Sequence, residues 1–488
     1  MNPTPSDPSH STNSYFRGTA QPSPPGRSLV LAICCMSVFV VGIDMTIVNV
    51  ALPAIQRSLH ASVSGLQWTI DAYTLVIACL LMLSGSLADR FGRRRALQTG
   101  LLLFSAGSLL CSLAPSLGWL IAFRALQAAG GSLLNPVAMA IIVNVFPDPR
   151  DRARAVGVWG SVAGLSLAAG PVLGGLLVSG LGWRSVFWVN VPVGIAAIAL
   201  TRRFVPESRA ARARRLDPLG QVLVAVLLAS TTAAIIEGQR LGWTSGVINA
   251  LFVVAVASAV ALVVSETHRH QPLIDMRFFR SAPFSGAMLI AVAASAVLSG
   301  FLFANTLYLQ NIRGDSALGA GLQTIPMAVA LAVFAPVSGR LVAARGSRLP
   351  LVMAGTLQTI GALMFLRLDA HTPLWYLLIG YIVFGAGAGL VTAPVTSTAV
   401  SGMPADQAGV AGALASTSRQ FGAAVGVAVT GSIIAAGATA GSVPANHAAW
   451  PVIADCGAVV LLAGLASTSR WAIKTARRNG HRLTMPRP

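Results

Sequence analysis

Apolar runs of about 20 residues recur from Leu29 to Ala466 with only short polar breaks between them. Each run matches the thickness of a bilayer's hydrocarbon, where backbone N–H and C=O groups must pair inside the segment itself. A chain built this way is a bundle of membrane-crossing helices. Spans are expected near 29–51, 66–86, 96–115, 118–145, 155–179, 185–201, 218–236, 246–266, 284–309, 322–343, 350–368, 373–398, 408–435 and 448–468. The expectation is therefore an all-α polytopic membrane protein with fourteen transmembrane helices. Composition agrees: 55% of the residues are hydrophobic and 10% charged, where a soluble domain carries about 25% charge.

The formal charge of +19 raises the question of a polyanionic partner, and its distribution answers it. Arg90, Arg93, Arg94 and Arg95 follow the second span, and Arg202, Arg203, Arg209, Arg212, Arg214 and Arg215 follow the sixth. Alternate loops hold one basic residue or none. If both termini are cytoplasmic, as an even number of spans allows, all but seven of the 34 Lys and Arg lie inside. The exceptions are Arg57, Arg184, Arg240, Arg313 and Arg367 in outer loops and Arg124 and Arg419 within spans. This is the positive-inside pattern, which sets topology and speaks against nucleic acid. The five cysteines all fall in apolar spans at spacings that suit neither zinc nor a disulfide framework, and no metal or cofactor is expected.

The chain repeats itself. "GSLADRFGRR" after the second span is echoed by "GRLVAARGSR" after the tenth, with Gly85 and Gly92 over Gly339 and Gly346, and Arg94 over Arg348. "GSLLNPVA" and "GLVTAPVT" bring Gly131 over Gly389 and Pro136 over Pro394. Spans 1–6 thus resemble spans 9–14, the internal symmetry of a transporter. The organisation read from this is a disordered cytoplasmic tail (1–28), a six-helix half (29–201), a linker with two inserted central helices (202–267), a second six-helix half (268–468) and a basic cytoplasmic tail (469–488).

Ionisable residues inside spans are costly and mark function. Asp44 lies seventeen residues beyond Arg27, roughly 25 Å along its helix. Asp71 lies eighteen residues before Asp89, and Arg124 sits early in the fourth span, so all three occupy a similar outer layer. Asp71 has an alternative reading as a residue favoured by its helix N-terminus, and Arg124 as a snorkelling side chain. Asp44 has neither excuse. A carboxylate held between burial, which penalises its charge, and a nearby cation, which favours it, can load and release a proton. Arg419 faces the interior with no partner evident in the sequence. In the fifth span Gly160, Gly164, Ala168, Gly170 and Gly174 allow close helix contact, and Pro171 should bend the helix.

On these residues the chain resembles the major facilitator superfamily, and within it the fourteen-span drug–proton antiporters of the EmrB/QacA group. "GSLADRFGRR" is similar to the superfamily loop signature at Gly85, Asp89, Arg90, Gly92, Arg93 and Arg94. "LIAFRALQAAGG" resembles the fourth-helix signature at Arg124, Gln127 and Gly130, with Ala128 in place of a glycine. "GPVLGG" resembles the antiporter signature at Gly170, Pro171, Gly174 and Gly175, although Ser166 stands where glycine is usual. "IDMTIVNVALP" resembles the first-helix signature of drug exporters, centred on Asp44.

The resemblance implies rocker-switch alternating access driven by the proton gradient. It assigns proton coupling to Asp44 and Arg124, an inner gate to Asp89 and its arginines, and export to the fifth-helix signature; Asp71 joins the proton-coupling candidates by its shared layer alone. It implies drug-like small-molecule substrates and protons as partners, in a bacterial cytoplasmic membrane, with or without a periplasmic adaptor. The rivals are an exporter dedicated to a single metabolite, siderophore, sugar or self-made antibiotic, a membrane sensor or scaffold without transport, and a membrane-embedded enzyme. The sequence holds no HExxH or GxSxG for that last class, and the chain reads as a non-enzyme.

Overall fold

The structure, a computed structural model, describes residues 24–209, 217–269, 272–404, 407–439 and 447–483. The first 23 residues of the expected N-terminal tail and the linker residues Arg212, Arg214 and Arg215 lie outside these. Every regular element among the described residues is helical. The first seven are α1 (Pro24–Leu59), α2 (Val63–Phe91), α3 (Arg93–Ser112), α4 (Leu117–Val145), α5 (Pro149–Leu181), α6 (Ser185–Trp188) and α7 (Asn190–Phe204). Next come α8 (Pro218–Leu241), α9 (Gly246–His268), α10 (Ala282–Leu307), α11 (Ala317–Gln323) and α12 (Ile325–Arg345). The last six are α13 (Arg348–Met364), α14 (Leu374–Gly389), α15 (Thr392–Ala399), α16 (Ala408–Thr439), α17 (Ala449–Ser467) and α18 (Arg470–Leu483).

Local chemistry explains where these helices start. Ser62 caps α2 by accepting from the Gly65 N–H at 3.2 Å. Asp148 caps α5 through Arg150 and Asp151 at 2.9 and 3.0 Å, with Pro149 in the first turn. Asp217 and Pro218 repeat that arrangement at α8. Two expectations are corrected. Residues 24–28, expected in a disordered tail, already belong to α1. Three spans expected as single helices are interrupted, at Val189, at Thr324 and at Leu390–Val391. A proline follows each interruption within a few residues (Pro192, Pro326 and Pro394) and cannot donate to the carbonyl four residues back. At the third break Ser338 donates to the freed Leu390 carbonyl at 2.8 Å.

Twelve stretches among the described residues are long and apolar enough to cross a membrane. Helices also occupy the two remaining expected spans. Of these, α3 opens on three arginines, and α13 has only 17 residues.

The internal repeat is visible in the packing. α1 lies on α5 as α10 lies on α16, α2 on α4 as α12 on α14, and α3 on α7 as α13 on α17. Gly92 and Gly346, the turns between α2 and α3 and between α12 and α13, both take positive φ, 111° and 73°. A side chain would strain either turn. α8 touches both sets of helices: Trp68 of α2 donates to Glu237 at 2.9 Å, and Ser432 of α16 donates to the Ile235 carbonyl at 2.7 Å.

The two sets meet at the end opposite the arginine-rich turns. There Ile47, Ala51 and Leu52 of α1 share one core with Phe301, Leu307 and Leu309. Gln310 donates to the Val50 carbonyl at 3.0 Å, and Gln67 to the Val427 and Ala428 carbonyls at 3.2 and 2.6 Å. That core also holds an aromatic cluster, in which Phe301 stacks on Phe384 at 3.8 Å and meets Phe365 and Trp450 edge-on. Toward the arginine-rich end α5 stands clear: Cβ atoms at Gly157, Gly160 and Gly164 would meet nothing within 4 Å. The close contact expected at Gly160 and Gly164 is therefore absent in this arrangement, whereas Gly170 and Gly174 press on Thr46, Ile47 and Val50 of α1.

Gly130 packs directly on the Phe104 and Gly100 backbone of α3. Gly130→Ala is expected to cost about 1–3 kcal/mol, as overpacking does. Gly160→Ala should leave stability unchanged or raise it by up to about 1 kcal/mol. Thermal unfolding of the two variants in detergent separates these outcomes.

Candidate functional site

The sequence places Asp44 in the middle of a 36-residue helix, and the structure supplies its company. Asp44 is 0% exposed and Arg124 2%. The Arg124 guanidinium donates through Nη1 to Asp44 Oδ2 at 2.7 Å and to Gln127 Oε1 at 2.7 Å, and through Nε to the Thr69 carbonyl at 3.2 Å. One side chain from α4 thus ties α1 and α2 together. The Tyr73 ring covers the guanidinium at 4.1 Å, and Phe187 lies 5.7 Å away. Stacking of this kind suits arginine, whose planar, weakly hydrated charge tolerates burial better than an ammonium.

The second carboxylate oxygen, Asp44 Oδ1, accepts from Gln127 Nε2 at 2.8 Å and from Asn190 Nδ2 at 3.1 Å. Both amides also donate to Ser108 Oγ, at 3.1 and 3.0 Å. Ser108 passes its own proton to the Phe187 carbonyl at 2.9 Å. That carbonyl sits beside the interruption at Val189, and the break between α6 and α7 sets Asn190 at the start of α7. A buried charge is tolerable only when paired and fully hydrogen-bonded, and this one meets both conditions.

Of the residues picked out in the sequence, Asp44, Arg124 and Gln127 converge. Asp71 does not join them. It is fully buried, its Oδ1 lies 3.5 Å from the Thr74 hydroxyl, and its Oδ2 has no hydrogen-bond partner. Depth along a helix set Asp71 in the same layer as Asp44, but its helical phase differs: Gln67, one turn earlier, reaches α16 rather than α1. Arg419 donates to Ser416 at 2.6 Å, and its Nη1 is buried without a partner.

The loop between α2 and α3 is a single residue, Gly92. Asp89 pairs with Arg93 at 3.1 Å, and Arg93 also reaches the Ala140 carbonyl at 3.3 Å. The Gly92 Cα faces the Glu207 carboxylate, which takes the Arg94 N–H at 3.0 Å and lies 3.9 and 3.8 Å from the Arg94 and Arg95 side chains. Arg90 lies beside the Phe91 ring, 5.8 Å from its centroid. Gly85 meets nothing within 4 Å. Gly175 abuts the Ala317–Leu318 backbone and the Pro171 carbonyl abuts Gly321, so the "GPVLGG" stretch is where α5 touches α11.

Sequence reasoning missed Asn190, Ser108, Tyr73, Thr69 and Glu207. Asn190 carried a usable signal, because an amide two residues before a proline inside an apolar span needs a partner. Ser108 carried none.

Membrane-length helices around a buried, ion-paired polar centre define a multi-pass membrane protein. Residues 34–427 match the Major Facilitator Superfamily, and the chain belongs to that family. It is 36% identical over 408 residues to the multidrug resistance protein Stp of Mycobacterium tuberculosis, covering 84% of this chain and 76% of that protein. It is 36% identical to a methylenomycin A resistance protein of Streptomyces coelicolor (80% and 82% covered). A tetracenomycin C resistance and export protein of Streptomyces glaucescens is 35% identical (88% and 79% covered). The crystal structure of the peptide transporter POT in complex with sulfate superposes with a TM-score of 0.67 over 96% of this chain and 98% of that one. At 16% identity this is a likeness of fold.

Arg124→Ala leaves a buried carboxylate uncompensated and should lower stability by about 3–5 kcal/mol. Arg124→Lys should recover only part of the loss, because an ammonium cannot hold Asp44, Gln127 and the Thr69 carbonyl in a planar fork. Thermal unfolding of both proteins in detergent checks the order.

Proposed function

We propose that this chain is a proton-driven efflux transporter that exchanges protons for hydrophobic or amphiphilic drugs and antibiotics by alternating access. The observation that carries the reading is the Asp44–Arg124 pair, sealed in the middle of α1 and at the junction of three helices. A carboxylate placed there changes its bonding to Arg124 when it takes up a proton, and so converts protonation into a change in how α1, α2 and α4 are tied. The relatives named for drug resistance and export support the cargo class.

The finer features belong to the same proposal. The chain is an EmrB/QacA-type protein with fourteen crossings, α3 and α13 included, arranged as two six-helix halves (29–201 and 268–468) around the inserted α8 and α9. Both termini are cytoplasmic in a bacterial inner membrane, so the uncovered stretch of α5 from Gly157 to Gly164 lies toward the inner face. Asp89, Arg90, Arg93 and Arg94, with Gly85 and Gly92, form the inner gate. Gly170, Pro171, Gly174 and Gly175 form the hinge contact of α5, and Asp71 is a second protonatable group at the seam between α2 and α16.

A second reading, export of one antibiotic, is favoured by the relatives named for single compounds, methylenomycin A and tetracenomycin C.

In energised inside-out vesicles, adding a transported drug should release protons from the wild type. Asp44→Asn should abolish the release, and Asp71→Asn and Arg124→Ala should reduce it. Full release from Asp44→Asn would end the antiport reading. A membrane potential of 100 mV is worth about 2.3 kcal/mol per charge, and half a pH unit about 0.7. A single-proton exchanger should therefore concentrate neutral substrates about a hundredfold. Flux measurements under a pure membrane potential should accordingly show no steep gradient of a dication.

A further inference from the structure

The four-part ring of Asp44, Gln127, Ser108 and Asn190 assigns every hydrogen of its two amides and its hydroxyl. A side-chain amide carries two N–H donors, a hydroxyl one donor and two lone pairs, and a carboxylate only acceptors. Asn190 spends its two hydrogens on Asp44 Oδ1 and Ser108 Oγ, and Gln127 spends its two the same way. Ser108 fills both lone pairs with these amides and gives its one proton to the Phe187 carbonyl. Neither amide can be flipped without turning an oxygen onto the carboxylate. Oδ1 therefore faces two donors that have no other acceptor to turn to. Oδ2 receives one, Arg124 Nη1.

We infer that Asn190 and Ser108 are positioning residues that direct an incoming proton to Oδ2 of Asp44, in competition with Arg124. The inference rests on Asp44 being the proton carrier proposed above. In the step itself a solvent proton forms an O–H bond at Oδ2, and the Nη1–H to Oδ2 hydrogen bond breaks. Arg124 keeps its charge and its bonds to Gln127 Oε1 and the Thr69 carbonyl. The ring holds Asp44 to α3, α4 and α7 throughout, so the link that protonation releases is the one between α1 and the guanidinium. The titratable or charged groups facing Asp44 are Arg124 from α4, Tyr73 from α2 and Cys111 from α3, while α7 contributes the Asn190 amide. Asn190 lies outside the charged residues that the sequence singled out, and its position depends on the break at Val189.

The test measures substrate-driven proton release against pH in inside-out vesicles, together with infrared difference spectra of the purified protein. The C=O band of protonated Asp44 is identified by its absence in Asp44→Asn. With the proton on Oδ2, the carbonyl is Oδ1 carrying two hydrogen bonds, so Asn190→Leu should raise the band frequency. The same variant removes a donor from the carboxylate and should move the half-maximal pH upward by about one to two units. The half-saturating substrate concentration should stay within about twofold, because an N190L change does not touch bound drug in this scheme. Asn190→Gln, which keeps an amide, should move the midpoint partway back. Should N190L fail to fold, Ser108→Ala removes the acceptor shared by both amides and is expected to shift band and midpoint in the same direction by less. An unmoved band and an unmoved midpoint in both variants, with Asp44→Asn inactive, overturn this inference alone. Full proton release in Asp44→Asn overturns the antiport reading with it.

Discussion

An ionised carboxylate in the middle of a membrane helix costs several kcal/mol unless the protein surrounds it, and much of the N-terminal bundle is arranged to do so. Arg124 supplies the opposite charge, the Tyr73 ring covers that charge, and amides from α4 and α7 occupy the remaining oxygen. Each of these groups needs its own helix at a fixed distance. The small residues that let helices approach follow from this demand: Gly130 against α3, and Gly170 and Gly174 against α1. The interruption at Val189 falls beside the site, where the Phe187 carbonyl takes the Ser108 hydroxyl and Asn190 opens α7.

What the sequence made legible was whatever stands out against an apolar background. Fourteen hydrophobic runs, Asp44 and Arg124 are conspicuous because charge in lipid is rare, and each of those runs holds a helix. The repeat was legible through its glycines, and the matching positive φ of Gly92 and Gly346 shows why glycine recurs at both turns. Uncharged polar residues gave no such contrast. Ser108 looks like an ordinary residue of an apolar span until the fold brings it to Asn190, whose amide gave only a faint signal. Asp71 illustrates the opposite error: depth along a helix was correct reasoning about one coordinate, but the direction a side chain points is set by helical phase and by which neighbour lies there. Glu207 was invisible for a third reason, since it reaches the Gly92 turn from 113 residues away.

The helix breaks carry a similar lesson. Four prolines, Pro53, Pro136, Pro171 and Pro336, sit inside continuous helices, whereas Pro192, Pro326 and Pro394 follow interruptions. Spacing alone does not separate the two groups. At one of the three breaks the freed carbonyl is met by a hydroxyl, Ser338 on Leu390, so the chain turns there without leaving that polar group unpaired in hydrocarbon.

The aromatic cluster around Phe301 acquires a meaning from the repeat. The offset that brings Gly131 over Gly389 also brings Arg124 over Ile382 and Gln127 over Gly385. Where the first set of helices stores a charge pair, the second holds stacked rings. The duplicated architecture has thus specialised into an ionic partner and a greasy one. Under the proposed coupling, a proton taken up by Asp44 acts within the first set of helices, which gives the molecule an inherent lopsidedness: the lobe with the ion pair would work against one packed on rings.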